Sequence, residues 1–157
     1  MNINYPPYKK YASTPLNSPS GGGDFIVFLD DNILKSLGLD KLSYKNAKSM
    51  FMLGGSFIEN DEIVSFDEFK YFGIKSISGP NEFSGASNLE SIVIPKTCTY
   101  ISATAFNNCS NLKTVVILNP NTEIDPNAFN GCSPEIHIVT PNKGIGFWAI
   151  GSTFVIW

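Results

Sequence analysis

Hydrophobic positions recur along the middle of this chain with a period of 23 residues. Phe83, Phe106 and Phe129 are evenly spaced, and each opens a related phrase: Phe83-Ser-Gly-Ala-Ser-Asn-Leu89, Phe106-Asn-Asn-Cys-Ser-Asn-Leu112 and Phe129-Asn-Gly-Cys-Ser-Pro134. A fixed period of this size predicts a solenoid, in which each unit buries one side against its neighbours. Between the phenylalanines, Leu89 aligns with Leu112, Ile92 with Val115, Ile94 with Ile117, Ile101 with Ile124, and Ala105 with Ala128. The last half of Leu-x-x-Ile-x-Ile alternates, which predicts a half-buried strand. Asn88 and Asn111 stand before the strands and suit polar turns. Ile101 and Ala105 supply a second inward contact on a short returning segment.

The pattern weakens toward both ends. In the third copy Glu135 replaces the leucine and Thr140 the second isoleucine. Pro141 to Trp157 leaves the pattern and carries Phe147, Trp148, Phe154 and Trp157. This tail reads as an aromatic C-terminal cap over the last open rung, or as a contact with another copy. Upstream, Ile77 and Phe83 read as a partial first rung around Gly79-Pro80. Before that, Asp24 to Leu29 predicts a short strand. Asp30 or Asp31 can cap a helix carrying Ile33, Leu34 and Leu37, closed by Gly38. Ser43 can cap a second helix with Ala47 and Met50 on one face. Ser65-Phe-Asp-Glu68 reads as a capping box opening a third helix with Phe66, Phe69 and Phe72 on its apolar side. The fold class expected is α+β: an N-terminal arm over 1–23, a small helical cap over 24–73, and a repeat solenoid with its C-terminal cap over 74–157.

The recurring phrase resembles the BspA-type leucine-rich repeat, whose units run Phe, small residues, Cys-Ser-Asn-Leu, Ile-x-Ile-Pro, then Ile and Ala-Phe. The resemblance covers roughly Ile74 to Pro141. Proteins of this type are known mainly as surface or secreted adhesion and binding proteins of bacteria and some protists, and they occur in phages of gut Bacteroidales. Leu42-Ser-Tyr-Lys-Asn-Ala47, followed by Glu62 to Phe72, is similar to the N-terminal segment of many Bacteroides proteins of this type, where the Leu-Ser-Tyr phrase ends an EF-hand-like loop. Placed on that loop, the ligand positions hold Lys35, Leu37, Leu39 and Asn46. Calcium needs several carboxylate or carbonyl oxygens, so a degenerate loop without calcium is expected, and no other metal or cofactor.

Charge and composition narrow the classes. The net charge is −3 and all eleven basic residues are lysine. Nucleic-acid readers rely on basic patches and arginine forks, which disfavours that class. There is no long apolar run for a membrane helix. Residues 1–23 are rich in Pro, Ser, Asn, Tyr and Gly and lack the apolar stretch of a secretory signal. With the resemblance, this points to a structural or adhesion protein on a phage virion, made in the host cytoplasm. The alternative is a bacterial cell-surface or secreted adhesin. Tyr5, Tyr8 and Tyr11 are then contacts of an anchoring arm with Gly21 to Gly23 as its hinge; the other reading of this segment is a disordered leader. Expected partners are proteins: other virion components, a host-surface ligand, or a second copy.

Candidate chemistry is sparse. Cys109 and Cys132 occupy equivalent positions on successive rungs, where Ala86 stands in the first. They read as small buried hydrophobes, the alternative being a disulfide or metal site. Cys98 is an odd third thiol on a loop. His137 reads as a surface or edge residue, not as a base for a thiol. Asp67 and Glu68 fit the first turn of a helix, where acids favour the dipole. None of these sets supports an enzyme. The candidate binding surface is the outward face of the strands, Ser91 and Val93 beside Thr114 and Val116. There the two valines would form an exposed apolar stripe; ordinary strand preference for β-branched residues is the alternative.

Overall fold

The computed structural model describes residues 24–141 and the strand Thr153–Val155. The described chain opens with β1 (Ile26–Val27), α1 (Asp31–Leu37), β2 (Leu42–Ser43) and α2 (Tyr44–Ser49). The capping residues act where the sequence places them. Asp30 accepts the Asn32 N–H at 2.8 Å, Gly38 closes α1 with φ +70°, and Ser43 accepts the Asn46 N–H at 3.1 Å. β1 and β2 pair antiparallel.

The repeats then build two parallel sheets. The larger is formed by β3 (Ser65–Phe66), β5 (Ser91–Ile94), β7 (Thr114–Ile117), β9 (His137–Val139) and β10 (Thr153–Val155), neighbours in that order. The smaller stacks β4 (Ser76–Ile77), β6 (Tyr100–Ile101) and β8 (Glu123–Ile124). Pairing follows the sequence repeat: Ser91 lies opposite Thr114 and Thr114 opposite His137. Leu89, Ile92, Ile94, Phe106, Leu112, Val115 and Ile117 are all fully buried in one continuous core.

The phenylalanines stack directly. Ring centroids of Phe83 and Phe106 are 5.5 Å apart and those of Phe106 and Phe129 5.2 Å, with planes 7° and 8° from parallel. The spacing is set by the inter-coil hydrogen bonds, Phe83 N–H to Ala105 C=O at 2.8 Å and Phe106 N–H to Ala128 C=O at 3.0 Å. Asn88 and Asn111 do more than turn the chain: each side-chain amide donates to the preceding coil, to Asp61 C=O at 2.7 Å and Ser87 C=O at 2.8 Å.

A further coil precedes those legible in the sequence. Phe57 stacks on Phe83 at 5.4 Å, and Ser65 pairs with Ser91. The sheet therefore begins inside the segment expected to be helical cap, and Ser65 is no helix cap. Its backbone belongs to β3, and the element that follows is a 3-10 helix, Asp67–Tyr71, with no side-chain cap. The spacing explains the geometry. Phe66, Phe69 and Phe72 stand three apart, and a helix of three residues per turn puts all three on one side. All three are buried.

Two residues after each stacked phenylalanine the backbone turns left-handed: Glu59 (φ 56°), Gly85 (φ 76°), Asn108 (φ 62°) and Gly131 (φ 80°). Glycine and asparagine tolerate this region, whereas a glutamate is strained there by roughly 1–2 kcal/mol. Glu59→Gly should therefore stabilise the fold, by about 0.5–1 kcal/mol after the extra unfolded-state entropy of glycine. A higher urea midpoint at unchanged slope is the expected result.

Candidate functional site

Register decides which outward residues meet. On β5, β7 and β9, Ser91, Thr114 and His137 form one row, and Val93, Val116 and Val139 form another. The four sheet residues expected to bind are thus brought together on two adjacent strands. Their exposure departs from the expectation. Val93 and Val116 are only 6% and 2% exposed, and with Val139 they form a second small core. In-register valines shield one another's flanks, and Leu118 packs against them. The open apolar stripe is therefore corrected to a buried one. Ser91 is also buried, its Oγ donating to Asp67 Oδ1 at 3.2 Å. Thr114 is half-buried. Tyr5, Tyr8 and Tyr11 lie outside the described residues, as do Phe147, Trp148 and Trp157.

Asp67 and Glu68 stand in the first turn of the 3-10 helix, as expected, and both are buried. The 3-10 helix that carries them lies against β5. The four residues that the resemblance placed on an EF-hand-like loop have structural roles here. Lys35 pairs with Glu62 at 3.0 Å, Leu37 and Leu39 pack against the core, and Asn46 offers its N–H to Ser43. Among the described residues, no group of three or more His, Cys, Asp or Glu side chains is placed to hold a metal ion. None of the described helices is long and apolar enough to cross a membrane.

All three cysteines are free. The Cys109 thiol donates to Phe83 C=O at 3.0 Å and the Cys132 thiol to Phe106 C=O at 3.1 Å, each reaching back one coil. Its contact with Cys132 and then burial push the Cys109 thiol far above the ordinary range. Cys98 lies in the turn after β5 but is fully buried, which pushes its thiol up to about 11. His137 is exposed while Cys109 is in the core, so no thiol–imidazole pair forms between them. At pH 8 the native protein should therefore react negligibly with iodoacetamide at Cys98 and Cys109, and both should label in denaturant. A thiol raised in the folded state stabilises fully below its unfolded value near 9.0. That contribution disappears as pH climbs toward about 11, so stability should fall across that window.

A second surface feature was missed in the sequence reading. Phe51 and Met52 are 66% and 58% exposed, side by side on the loop after α2. Asn81 fixes that loop. Its Oδ1 accepts the Leu53 N–H at 2.7 Å and its Nδ2 donates to Phe51 C=O at 3.1 Å. Asn81 precedes Glu82 where Ala105 and Ala128 precede Phe106 and Phe129 on the next coils; the two sheet registers make it their counterpart one coil earlier, and a polar residue at that otherwise apolar position was the available clue. Large apolar side chains held in water on an anchored loop are a feature of contact surfaces.

Among known families, the model described as "BspA type Leucine rich repeat region (6 copies)" matches residues 58–146. No curated protein and no solved structure gives a match. The match begins one residue after Phe57, in agreement with the early first coil. Repeats of this kind are in general binding modules that mediate protein–protein contacts. With the match spanning more than half of its length, this chain belongs to the BspA-type leucine-rich repeat family.

Proposed function

We propose that the chain is a non-enzymatic, adhesin-type protein that binds other proteins through its solvent-facing surface. The observation that carries this is the Phe51–Met52 pair, exposed yet held by Asn81 on the edge of the repeat stack. Exposed apolar anchors on a fixed loop lose little freedom on binding, which is what an interface centre requires. In this reading the repeats form a short solenoid of coils related by about 23 residues. The segment β1–α2 caps its first coil, and strand β10 pairs with β9 beyond its last. Beads coated with the protein should adhere to their target surface in a protease-sensitive manner. The double substitution Phe51→Ser, Met52→Ser should weaken adhesion about tenfold or more at unchanged Tm. Equal adhesion by the variant would remove this surface from the account.

Where the protein works is a separate proposal: on a released phage particle, anchored through Tyr5, Tyr8 and Tyr11, or alternatively on a bacterial surface. Its support is the family resemblance and the composition of residues 1–23. Mass spectrometry of purified particles and of cell-envelope fractions from the same culture separates the two. Stoichiometric recovery in particles supports the virion; recovery in the envelope alone supports the bacterial surface.

A further inference from the structure

A half-open cleft of about 350 Å³ lies where the 3-10 helix and α2 meet the turns after β5 and β7. Six of its lining residues carry the argument: Tyr44, Lys48, Lys70, Tyr71, Lys96 and Leu118. No Asp or Glu lines it. Among the described residues the ion pair is Lys35 with Glu62, and none of the three cleft lysines is paired in this way. Instead, the Lys48 ammonium sits 5.2 Å from the Tyr44 ring centroid and the Lys70 ammonium 5.2 Å from that of Tyr71. The two tyrosines pack edge to face at 5.8 Å, which brings their cations to one site. Lys70 is half-buried. Burial lowers its pKa, and the nearby Glu68 only partly offsets this.

We propose that this cleft binds an acidic segment of a partner protein, with carboxylates on Lys48, Lys70 and Lys96 and an apolar side chain over Leu118. The inference rests on the protein-binding reading above and specifies the partner's chemistry. Three lysines, Lys70 half-buried and Lys48 and Lys96 exposed, around an apolar floor call for anions flanking a hydrophobic residue. A sugar fits less well, because the aromatic faces it would stack on are taken. Phe25 stacks on Tyr44 at 4.7 Å, and the two ammoniums approach the Tyr44 and Tyr71 rings. Residues 1–23 and 142–157 do not match either: they contain lysine but no Asp or Glu. Those two segments therefore do not supply the acid; a partner protein does.

The test uses the full chain and a capped peptide of sequence EDLFED, with its amide counterpart QNLFQN as control, in calorimetric titrations at low and high salt. The acidic peptide should bind and the amide peptide should not. Affinity should fall with salt and drop about tenfold in the double variant Lys70→Gln, Lys96→Gln, while Lys35→Gln binds as the parent does. No binding, equal binding of the amide peptide, or an unaffected double variant would overturn the proposal. So would tighter binding of polygalacturonate than of the peptide, or a dimer that the double variant dissolves, which would put a second copy in the cleft. Bead adhesion separates the two ideas. Adhesion without peptide binding removes only the cleft assignment; peptide binding without adhesion removes only the adhesin reading.

Discussion

Phe106→Ala should lower stability by about 3–5 kcal/mol and Tm by on the order of 10 °C. Phe106 is fully buried and is stacked on both sides, by Phe83 at 5.5 Å and Phe129 at 5.2 Å. Its removal costs the transfer energy of a large ring and leaves a cavity in the middle of the stack. The inter-coil hydrogen bonds on either side, Phe83 N–H to Ala105 C=O and Phe106 N–H to Ala128 C=O, hold the coils apart, so they cannot close over it. Phe129→Ala, at the end of the described stack and 4% exposed, should cost less, about 2–3 kcal/mol. Phe28→Ala, 58% exposed, should stay within about 0.5 kcal/mol. Urea unfolding of the three variants checks the order. Equal losses at Phe106 and Phe129 would mean that the stack does not act as a closed ladder.

The second large effect is expected at Gly73, just after the 3-10 helix. A Cβ there would overlap the carbonyl oxygen of Lys48, and the neighbouring Lys48 carbonyl carbon lies 3.1 Å away. The obstacle is backbone, held in place because the Gly73 N–H donates to Ala47 C=O at 3.1 Å. Neither partner can rotate away as a side chain would, so Gly73→Ala must push α2 off the first coil. An overpacking cost of about 2–3 kcal/mol is expected. The loss should be local as well as global: limited trypsin digestion should cut at Lys45 and Lys48 well before the repeats are attacked. A parent-like digestion pattern with parent-like stability would show that α2 docks by other contacts.

These two sites differ in how far they could be read in advance. The phenylalanine ladder was legible because stacked coils share one register, so a fixed spacing in sequence becomes a fixed spacing in space. The first coil was hidden. Phe57 and Phe83 are 26 residues apart and not 23: the register falls from 26 at Ser65–Ser91 to 24 at Ser76–Tyr100, across the 3-10 helix Asp67–Tyr71, and to 23 at Phe83–Phe106, across the extra residue Glu82. Its i, i+3 aromatics looked like an amphipathic helix, and only pairing of Ser65 with Ser91 distinguishes the two. Gly73 gave no signal at all, since close approach of two backbones distant in sequence has no local pattern.

The same division runs through the candidate sites. Alternation placed Val93 and Val116 outward correctly, but it could not say that Val139 and Leu118 would join them in a second core. Alternation reports which face a side chain takes, and burial depends on what packs against that face. The Lys48, Lys70 and Lys96 cleft gathers residues from α2, the 3-10 helix and a turn, three segments whose spacing in the chain says nothing about their meeting. By itself, the sequence determined the repeat, its strands, the inward ladders and the caps of α1 and α2, because each depends on local spacing or on a period. The start of the stack, the buried valines, the fixed Phe51–Met52 loop and the lysine cleft were decided by tertiary contacts, because each depends on which distant segments come to lie side by side.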